Sequence, residues 1–368
     1  MDINVYKLFF VKKEENSFLE EIYKQLTDKL LLSDFENYPV SLFHGKMGLA
    51  IYFYHFSKIE SNFEYQAIAD QLLDQILLHD LSLNQSVAVE DGLAGIGLGV
   101  TYIVKNRFVE GNLNELLEVI DNEIYRRIVF HNNPSKFSAT VLLHLTGYLN
   151  VRLNEQTEEN LRLLYQNLII KILNMLYDKI DDEFLNESYS FSVHDYQLPV
   201  LLFIISKLLE VGFYNDRIYK MLDELRLQIL SRFPLLHSNR LFLLWGMLHL
   251  KPYLHHALWN NYIRLLYREI SVDEIFANET KGRQIFIDNG LSGIYILLHI
   301  INRNFPDFPI TFNSKTIFDK IQESDAWNAL IEREYFYDIH HGLLNGFPGV
   351  YLVLSHIKQQ YLINSQKI

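Results

Sequence analysis

The feature that most constrains this chain is a set of seven strongly apolar segments that recur about every 50 residues. Their openings fall at Gly48, Gly95, Thr140, Leu198, Leu241, Gly293 and Gly349, and each is followed by about ten mostly apolar residues. The steps between successive openings are 47, 45, 58, 43, 52 and 56 residues, a spacing typical of a helical hairpin with its loops. The repeat therefore predicts seven helical hairpins.

Amphipathic segments lie between these apolar ones. The stretches 157–177 and 215–233 place apolar residues on one face and charged residues on the other, with the period of a helix. Helices that are apolar all round must be buried, whereas amphipathic helices cover them, so the pattern predicts an inner and an outer layer. A closed α/α toroid of about seven inner and seven outer helices leaves no exposed end repeats. We expect an all-α chain, with a helical segment over 1–39 and a single toroid domain over 40–368.

Composition excludes several classes of protein. The 368 residues carry a formal net charge of −12 and no basic block, which argues against nucleic acid as a partner. The chain contains no run of 18 or more uncharged apolar residues, so we expect no membrane span. The N-terminal stretch lacks the pattern of a signal peptide. We expect a cytoplasmic protein. Because the chain has no cysteine, disulfides and thiolate metal ligands are impossible.

Glycines mark the openings of several apolar segments, as in "HGKMGLAIYFYHF" (44–56), "DGLAGIGLGVTYI" (91–103) and "DNGLSGIYILLHI" (288–300). A glycine at a helix start lets neighbouring backbones approach closely. It also leaves the first N–H groups of the helix unobstructed, with the positive end of the helix dipole facing outward. The simpler alternative is that these glycines serve only turns and packing.

Polar residues precede each opening by four positions. They are His44, Asp91, Lys136, His194, His237, Asn289 and Asn345. In a toroid these side chains would ring one mouth of a central cavity, and convergent polar groups above an apolar floor are typical of a ligand site. Helix capping is an alternative for the aspartate and the asparagines, but not for the histidines and the lysine. In "YDIHHGLLNGFPGV" (337–350) we expect His341 to line the same cavity, rather than to bind a metal with Asp338.

These glycine motifs resemble the helix openings of lanthionine synthetase C-like (LanC-like) proteins, and "SVHDYQLPVLLFI" (192–204) is similar to that family's Ala-His-Gly-x-x-Gly-Pro segment. The resemblance extends from about residue 40 to 357. It implies a double α-toroid of seven inner and seven outer helices. It also implies cyclisation of a dehydrated peptide, in which a cysteine adds to dehydroalanine or dehydrobutyrine while a zinc ion activates the thiol.

The chain departs from the family at the zinc ligands. The resemblance places the family's fifth-repeat cysteine at Leu236, beside His237, or at Leu244 in a shifted register, and its sixth-repeat Cys-His pair at Asp288 and Asn289. The leucine side chain has no ligand atom, and one carboxylate with one imidazole provides too few ligands to hold zinc tightly. We therefore expect no tightly bound zinc and no other cofactor.

The resemblance also supplies candidate catalytic residues. His194 matches a family histidine that is a candidate proton donor or acceptor, although a core histidine satisfied by a backbone carbonyl is an equal alternative. Asp195 replaces a family glycine and either orients His194 or caps the helix. The family's second-repeat acid falls on Ala88, so nearby Asp91 is the second catalytic candidate.

Three hypotheses of different classes remain at this point. The first is a zinc-free LanC-like protein that binds a modified precursor peptide, or a partner enzyme such as a dehydratase, in its cavity. The second is an active zinc-independent cyclase that uses His194. The third is an α/α-toroid carbohydrate-active enzyme, which needs a pair of carboxylates across the cavity. The sequence favours the first and leaves open whether the chain is an enzyme.

Overall fold

The computed structural model describes residues 17–32, 35–78, 86–130, 137–282 and 284–365. Helices make up most of the residues that the structure describes, and those residues contain no strand. The α-helices are α1 Ser17–Leu31, α2 Lys46–Glu60, α3 Phe63–Leu77, α4 Leu93–Lys105, α5 Leu113–Leu116, α6 Glu118–Phe130, α7 Ala139–Glu155, α8 Glu159–Tyr177, α9 Asp182–Leu185, α10 Gln197–Val211, α11 Asn215–Leu230, α12 His237–Leu250, α13 Ala257–Arg268, α14 Val272–Glu274, α15 Leu291–Asn304, α16 Ser314–Gln322, α17 Asp325–Glu332, α18 Glu334–Ile339 and α19 Phe347–Ser365. The prediction of an all-α chain is therefore confirmed.

All seven predicted apolar segments are helices, namely α2, α4, α7, α10, α12, α15 and α19. Six of them begin one or two residues before the predicted opening. The fifth begins four residues early, at His237 instead of Leu241. Burial explains their composition, since α2 buries every residue from Lys46 to Ser57.

The predicted amphipathic helices are also present. The stretch 157–177 forms α8, which turns Leu168, Ile169 and Leu176 inward, and the stretch 215–233 forms α11. In the described part of the chain, no helix is both long enough and apolar enough to cross a membrane.

The chain divides into two compact units. Unit 1 comprises Met1–Asp121, Gly282–Tyr295 and Asn313–Ile368, and unit 2 comprises Asn122–Lys281 and Ile296–Phe312. Unit 1 holds α2, α4, α19 and the start of α15, while unit 2 holds α7, α10 and α12. The predicted boundary between 39 and 40 stays a prediction, and residues 1–16 of the predicted N-terminal segment lie outside the described residues.

Aromatic contacts form the centre of unit 1. Tyr23 of α1 packs edge-on against Tyr351 of α19, with ring centroids 4.9 Å apart. Thr27, one turn further along α1, shares a 2.9 Å hydrogen bond with the hydroxyl of Tyr52 in α2. Helix α1 is thus part of the core of this unit.

Stacked aromatic rings hold two apolar helices of unit 2 together. The Trp245 indole of α12 stacks on Phe203 of α10, with centroids 4.7 Å apart, and on Phe242 at 5.6 Å. Between α7 and α8, the fully buried Arg152 lies 5.7 Å from the ring centroid of Tyr165. These contacts fix the helices whose N-terminal loops carry the predicted site residues of unit 2.

Candidate functional site

Four loops of unit 1 lie side by side at the N-terminal ends of α2, α4, α15 and α19. We call them the four-loop edge and define it as residues 39–45, 86–92, 284–290 and 340–346. Backbone bonds join neighbouring loops: Phe43 donates to the Glu90 carbonyl at 3.2 Å, and Asp288 donates to the Leu344 carbonyl at 3.0 Å. Backbone hydrogen bonds therefore hold these pairs of loops together.

The same backbone turn is repeated in all four loops. In α4, the N–H of the first helical residue, Leu93, donates to the Ser86 carbonyl, seven residues earlier, at 2.9 Å. A Cβ on Gly92 would lie 2.3 Å from that carbonyl oxygen, which only glycine avoids. The equivalent bonds are Lys46 to Pro39, Leu291 to Gln284 and Phe347 to His340, with Gly45, Gly290 and Gly346 in the equivalent close approaches.

This turn corrects one sequence-based expectation and supports another. The first N–H group of each of these helices is not open to a ligand, because the preceding loop folds back and supplies a carbonyl. The simpler interpretation of the glycines, as turn and packing residues, accounts for them. Asp91 is not the N-cap of α4 but directly precedes it, since the N-cap is Gly92.

Five of the predicted site residues lie at this edge, and four of them interact electrostatically. The pKa of His44 is lowered from its ordinary value, first by burial and then by the positive charge of His341, while the carboxylates of Asp288, Glu90 and Asp91 act to raise it. The structure therefore places His44, Asp91, Asp288 and His341 in one electrostatic environment. Three carboxylates around these histidines make the edge acidic.

His341 connects the first and last of these loops. Its Nδ1 lies 2.6 Å from the Asp338 carbonyl oxygen, and its Nε2 lies 3.1 Å from the His44 carbonyl oxygen. The ring also packs on Tyr38, with centroids 4.2 Å apart. Both ring nitrogens thus face backbone acceptors, and the contact with Asp338 does not involve its carboxylate.

Two asparagines occupy corresponding positions directly before glycine in neighbouring loops. The Oδ1 atoms of Asn289 and Asn345 are buried, and neither has a hydrogen-bond partner within the described residues. Amide oxygens accept hydrogen bonds, so this part of the edge has spare acceptor capacity. Lys136, the polar residue of the third repeat, lies outside the described residues.

The remaining predicted residues belong to unit 2. His194 is half-buried, its ring centroid is 6.5 Å from that of His144, and its carbonyl accepts from the side chain of Gln197. Asp195 is exposed, and its N–H donates to Ser192 Oγ at 3.0 Å. Asp195 does not cap α10, because the N-cap is Tyr196. The catalytic role predicted for His194 stays a prediction.

The residues at the family's zinc-ligand positions do not fit zinc. His237 Nδ1 lies 3.0 Å from the carbonyl oxygen of Glu269, 3.1 Å from the backbone nitrogen of Ser271 and 3.2 Å from Arg240 Nη1. Nδ1 of His237 is therefore engaged by three backbone and side-chain neighbours within the fold. Leu236 is the N-cap of α12 and offers no ligand atom. Among the described residues, no group of three or more His, Cys, Asp or Glu side chains is placed to hold a metal ion.

A carboxylate that sequence reasoning missed holds the start of α12. Glu279 accepts from the N–H groups of His237 and Ser238, at 2.6 and 2.9 Å, and from Ser238 Oγ at 2.7 Å. In the fifth repeat Glu279 thus accepts hydrogen bonds from the first N–H groups of the helix, as loop carbonyls do at the first N–H groups of the helices in unit 1. The sequence offered no signal for it, because 41 residues separate Glu279 from Ser238.

Replacing Glu279 by glutamine is expected to lower the free energy of unfolding by about 1–2 kcal/mol, because a neutral amide loses the charge-assisted bonds at the positive end of α12. The urea midpoint measures the change. Glu274→Gln is the matched control, since Glu274 is exposed and accepts from Asn278 within the same turn. Equal losses in the two variants would contradict the capping role.

The described helices define the class of this protein as all-α. The structure is similar to that of nisin cyclase, with a TM-score of 0.60 and 16% sequence identity, over 94% of this chain and 95% of that one. This similarity confirms the predicted α/α-toroid fold class. No family model matches the sequence, and no curated protein matches it.

Proposed function

We propose that this chain binds a dehydrated, cysteine-containing precursor peptide during maturation of a ribosomally made peptide, and that it does so without zinc. The fold of nisin cyclase supports a role in peptide cyclisation. The observation that carries the proposal is the four-loop edge, where four side chains selected from sequence come together around His44.

The chemistry of the edge suits a peptide. The carboxylates of Asp288, Glu90 and Asp91 accept hydrogen bonds from peptide N–H groups and attract a peptide ammonium group. The edge is therefore rich in acceptors, and an extended peptide offers donors at regular spacing.

The zinc-free part of the proposal rests on the donor set. Nδ1 of His237 is engaged within the fold, and the family's cysteine positions hold residues without sulfur. A cytoplasmic location and a dehydratase partner belong to the same proposal, because a precursor must be dehydrated before a cyclase-like protein receives it.

A fluorescent synthetic peptide with one dehydroalanine and one S-methylcysteine tests the binding. We expect fluorescence anisotropy to show saturable binding by the whole chain, and a His44→Ala/Asp288→Asn variant to bind about tenfold more weakly, a loss of about 1.4 kcal/mol. Asp319→Asn is the control, since Asp319 pairs with Lys315 on α16, away from the loops. No binding by the unmodified chain, or equal weakening in the control, would overturn the proposal.

Elemental analysis of the same preparations tests the zinc-free part separately. We expect substoichiometric zinc, with no increase after incubation with zinc and removal of the excess by gel filtration. One equivalent retained through gel filtration would contradict this part and leave the peptide-binding part standing.

A further inference from the structure

His340 is the best-oriented imidazole of the four-loop edge. It follows α18 directly, and its ring stacks on Phe286 of the neighbouring loop, with centroids 4.6 Å apart and planes 19° apart. Phe336 covers another side at 4.3 Å. Two aromatic rings from different elements therefore fix the plane of the imidazole.

One hydrogen bond fixes its tautomer. Nδ1 lies 2.8 Å from the carbonyl oxygen of Asn345. A carbonyl only accepts, so Nδ1 carries the proton of the neutral ring and Nε2 keeps the lone pair. A base that is oriented by a third group in this way is the usual arrangement of a general-base histidine.

The surroundings keep this ring neutral. The pKa of His340 is lowered from its ordinary value by burial first, and the positive charges of His341 and His44 lower it further, while the bond to the Asn345 carbonyl raises it. The neutral ring is the form that accepts a proton.

His341 does not offer the same chemistry. Both of its nitrogens face backbone carbonyls, so it has no ring nitrogen left to accept a proton from a ligand. The adjacent histidines thus have different roles, one joining two loops and the other presenting a lone pair.

We propose that Nε2 of His340 is the proton acceptor for the cysteine thiol of the bound peptide. This inference rests on the proposed function, because it takes a dehydrated, cysteine-containing peptide as the ligand. The S–H bond breaks and its proton moves to Nε2. The sulfur forms a bond to the β-carbon of dehydroalanine, the former double-bond pair moves to the α-carbon, and the α-carbon takes up the proton that Nε2 releases.

This step balances without a metal or a redox partner, since the product thioether is an isomer of the starting peptide. A base is needed because a thiol of ordinary pKa, about 8.5, is only a few per cent ionised at pH 7. In a chain with no thiolate ligand for zinc, a fixed-tautomer histidine supplies thiolate by another route.

The test uses a synthetic peptide with one dehydroalanine and one free cysteine, and follows thiol loss by alkylation and mass spectrometry. His340→Asn is the informative variant, because its amide N–H can still donate to the Asn345 carbonyl while the basic nitrogen is gone. We expect the protein-catalysed rate, after subtraction of the spontaneous rate, to fall about 100-fold. We expect affinity for the S-methylcysteine peptide to be retained. The urea midpoint should fall moderately, because asparagine loses the ring contacts with Phe286 and Phe336. His255→Asn, at an exposed histidine, is the control.

The outcomes separate this inference from the proposed function. Retained binding with an unchanged rate in His340→Asn, or no acceleration by the unmodified chain, overturns the inference and leaves peptide binding standing. Loss of all peptide binding in the unmodified chain overturns the proposed function itself. Nitrogen-15 NMR gives a readout independent of activity: we expect the Nδ1–H tautomer at His340, and the Nε2–H tautomer would overturn the inference.

Discussion

Replacing Gly95 by alanine is expected to destabilise unit 1 by about 3 kcal/mol or more, the upper range of overpacking penalties. A Cβ at this position would lie 1.8 Å from the Val89 carbonyl oxygen and 3.1 Å from Leu42 Cβ. Neither neighbour is the flexible end of a side chain, so relief requires the loop before α4 to move. The loop carries Glu90 and Asp91, and its movement would also disturb the four-loop edge.

Helix propensity alone predicts that Gly95→Ala stabilises the protein. Gly95 lies in the first turn of α4, where alanine would gain up to about 1 kcal/mol over glycine. The clash with a backbone oxygen is the larger effect, so the net change is a loss. The urea midpoint and the affinity for the S-methylcysteine peptide measure the two consequences.

Gly147→Ala is the matched control, because Gly147 also lies within an apolar helix, α7. Its nearest neighbour would be the Cδ1 methyl of Ile204 at 3.0 Å, which can shift by rotation of a side chain. We expect a change within about 1 kcal/mol, since the propensity gain offsets the small displacement. A Gly95→Ala protein as stable as Gly147→Ala would show that the loop yields more easily than the structure indicates.

The helical architecture could be predicted from sequence because buried helix faces require apolar residues at regular spacing along the chain. Each apolar helix needs a long apolar run, as in 49–56 of α2, and each covering helix needs a one-sided pattern, as in α8. The start of α12 was misplaced by four residues, because its first turn is the polar stretch His237–Arg240. Its stabilising partner, Glu279, is distant in sequence, so no local pattern marks the true start.

The candidate site could be predicted only in part. The residues four positions before the predicted helix openings include His44, Asp91 and Asn289, and Asn289 directly follows Asp288. This count finds residues of the edge because the same turn precedes each helix. The tautomer of His340 depends on a carbonyl five residues ahead, and the plane of its ring depends on Phe286 from another loop. Such contacts depend on how loops lie beside each other, which the spacing of residues along the chain does not encode.

The second large change in stability is expected on acidification, and it arises from His55. This histidine of α2 is 3% exposed, and its Nε2 lies 2.9 Å from the hydroxyl of Tyr102 in α4. Burial, and then the positive charge of Lys58, lowers its pKa from 6.5 to about 3. The unfolded chain therefore binds a proton at this site near pH 6.5, whereas the folded chain does not until about pH 3.

The sign follows from this difference in proton binding. The stability that neutral His55 contributes is complete above pH 6.5 and is lost as the pH falls from 6.5 towards 3, with a slope of up to about 1.4 kcal/mol per pH unit for one group. His299 and His340, whose pKa values are also lowered by burial, act in the same direction. Urea midpoints between pH 7 and pH 4 measure the slope.

His55→Gln separates the contribution of this residue from the others. Glutamine can keep a hydrogen bond to Tyr102 but does not titrate, so we expect a lower midpoint at pH 7 and a shallower fall towards pH 4. His255→Gln, at an exposed histidine, should reproduce the slope of the unmodified chain. If His55→Gln also keeps the full slope, then His55 takes up its proton in the folded state, and the contact between α2 and α4 admits more water than the burial of its ring indicates.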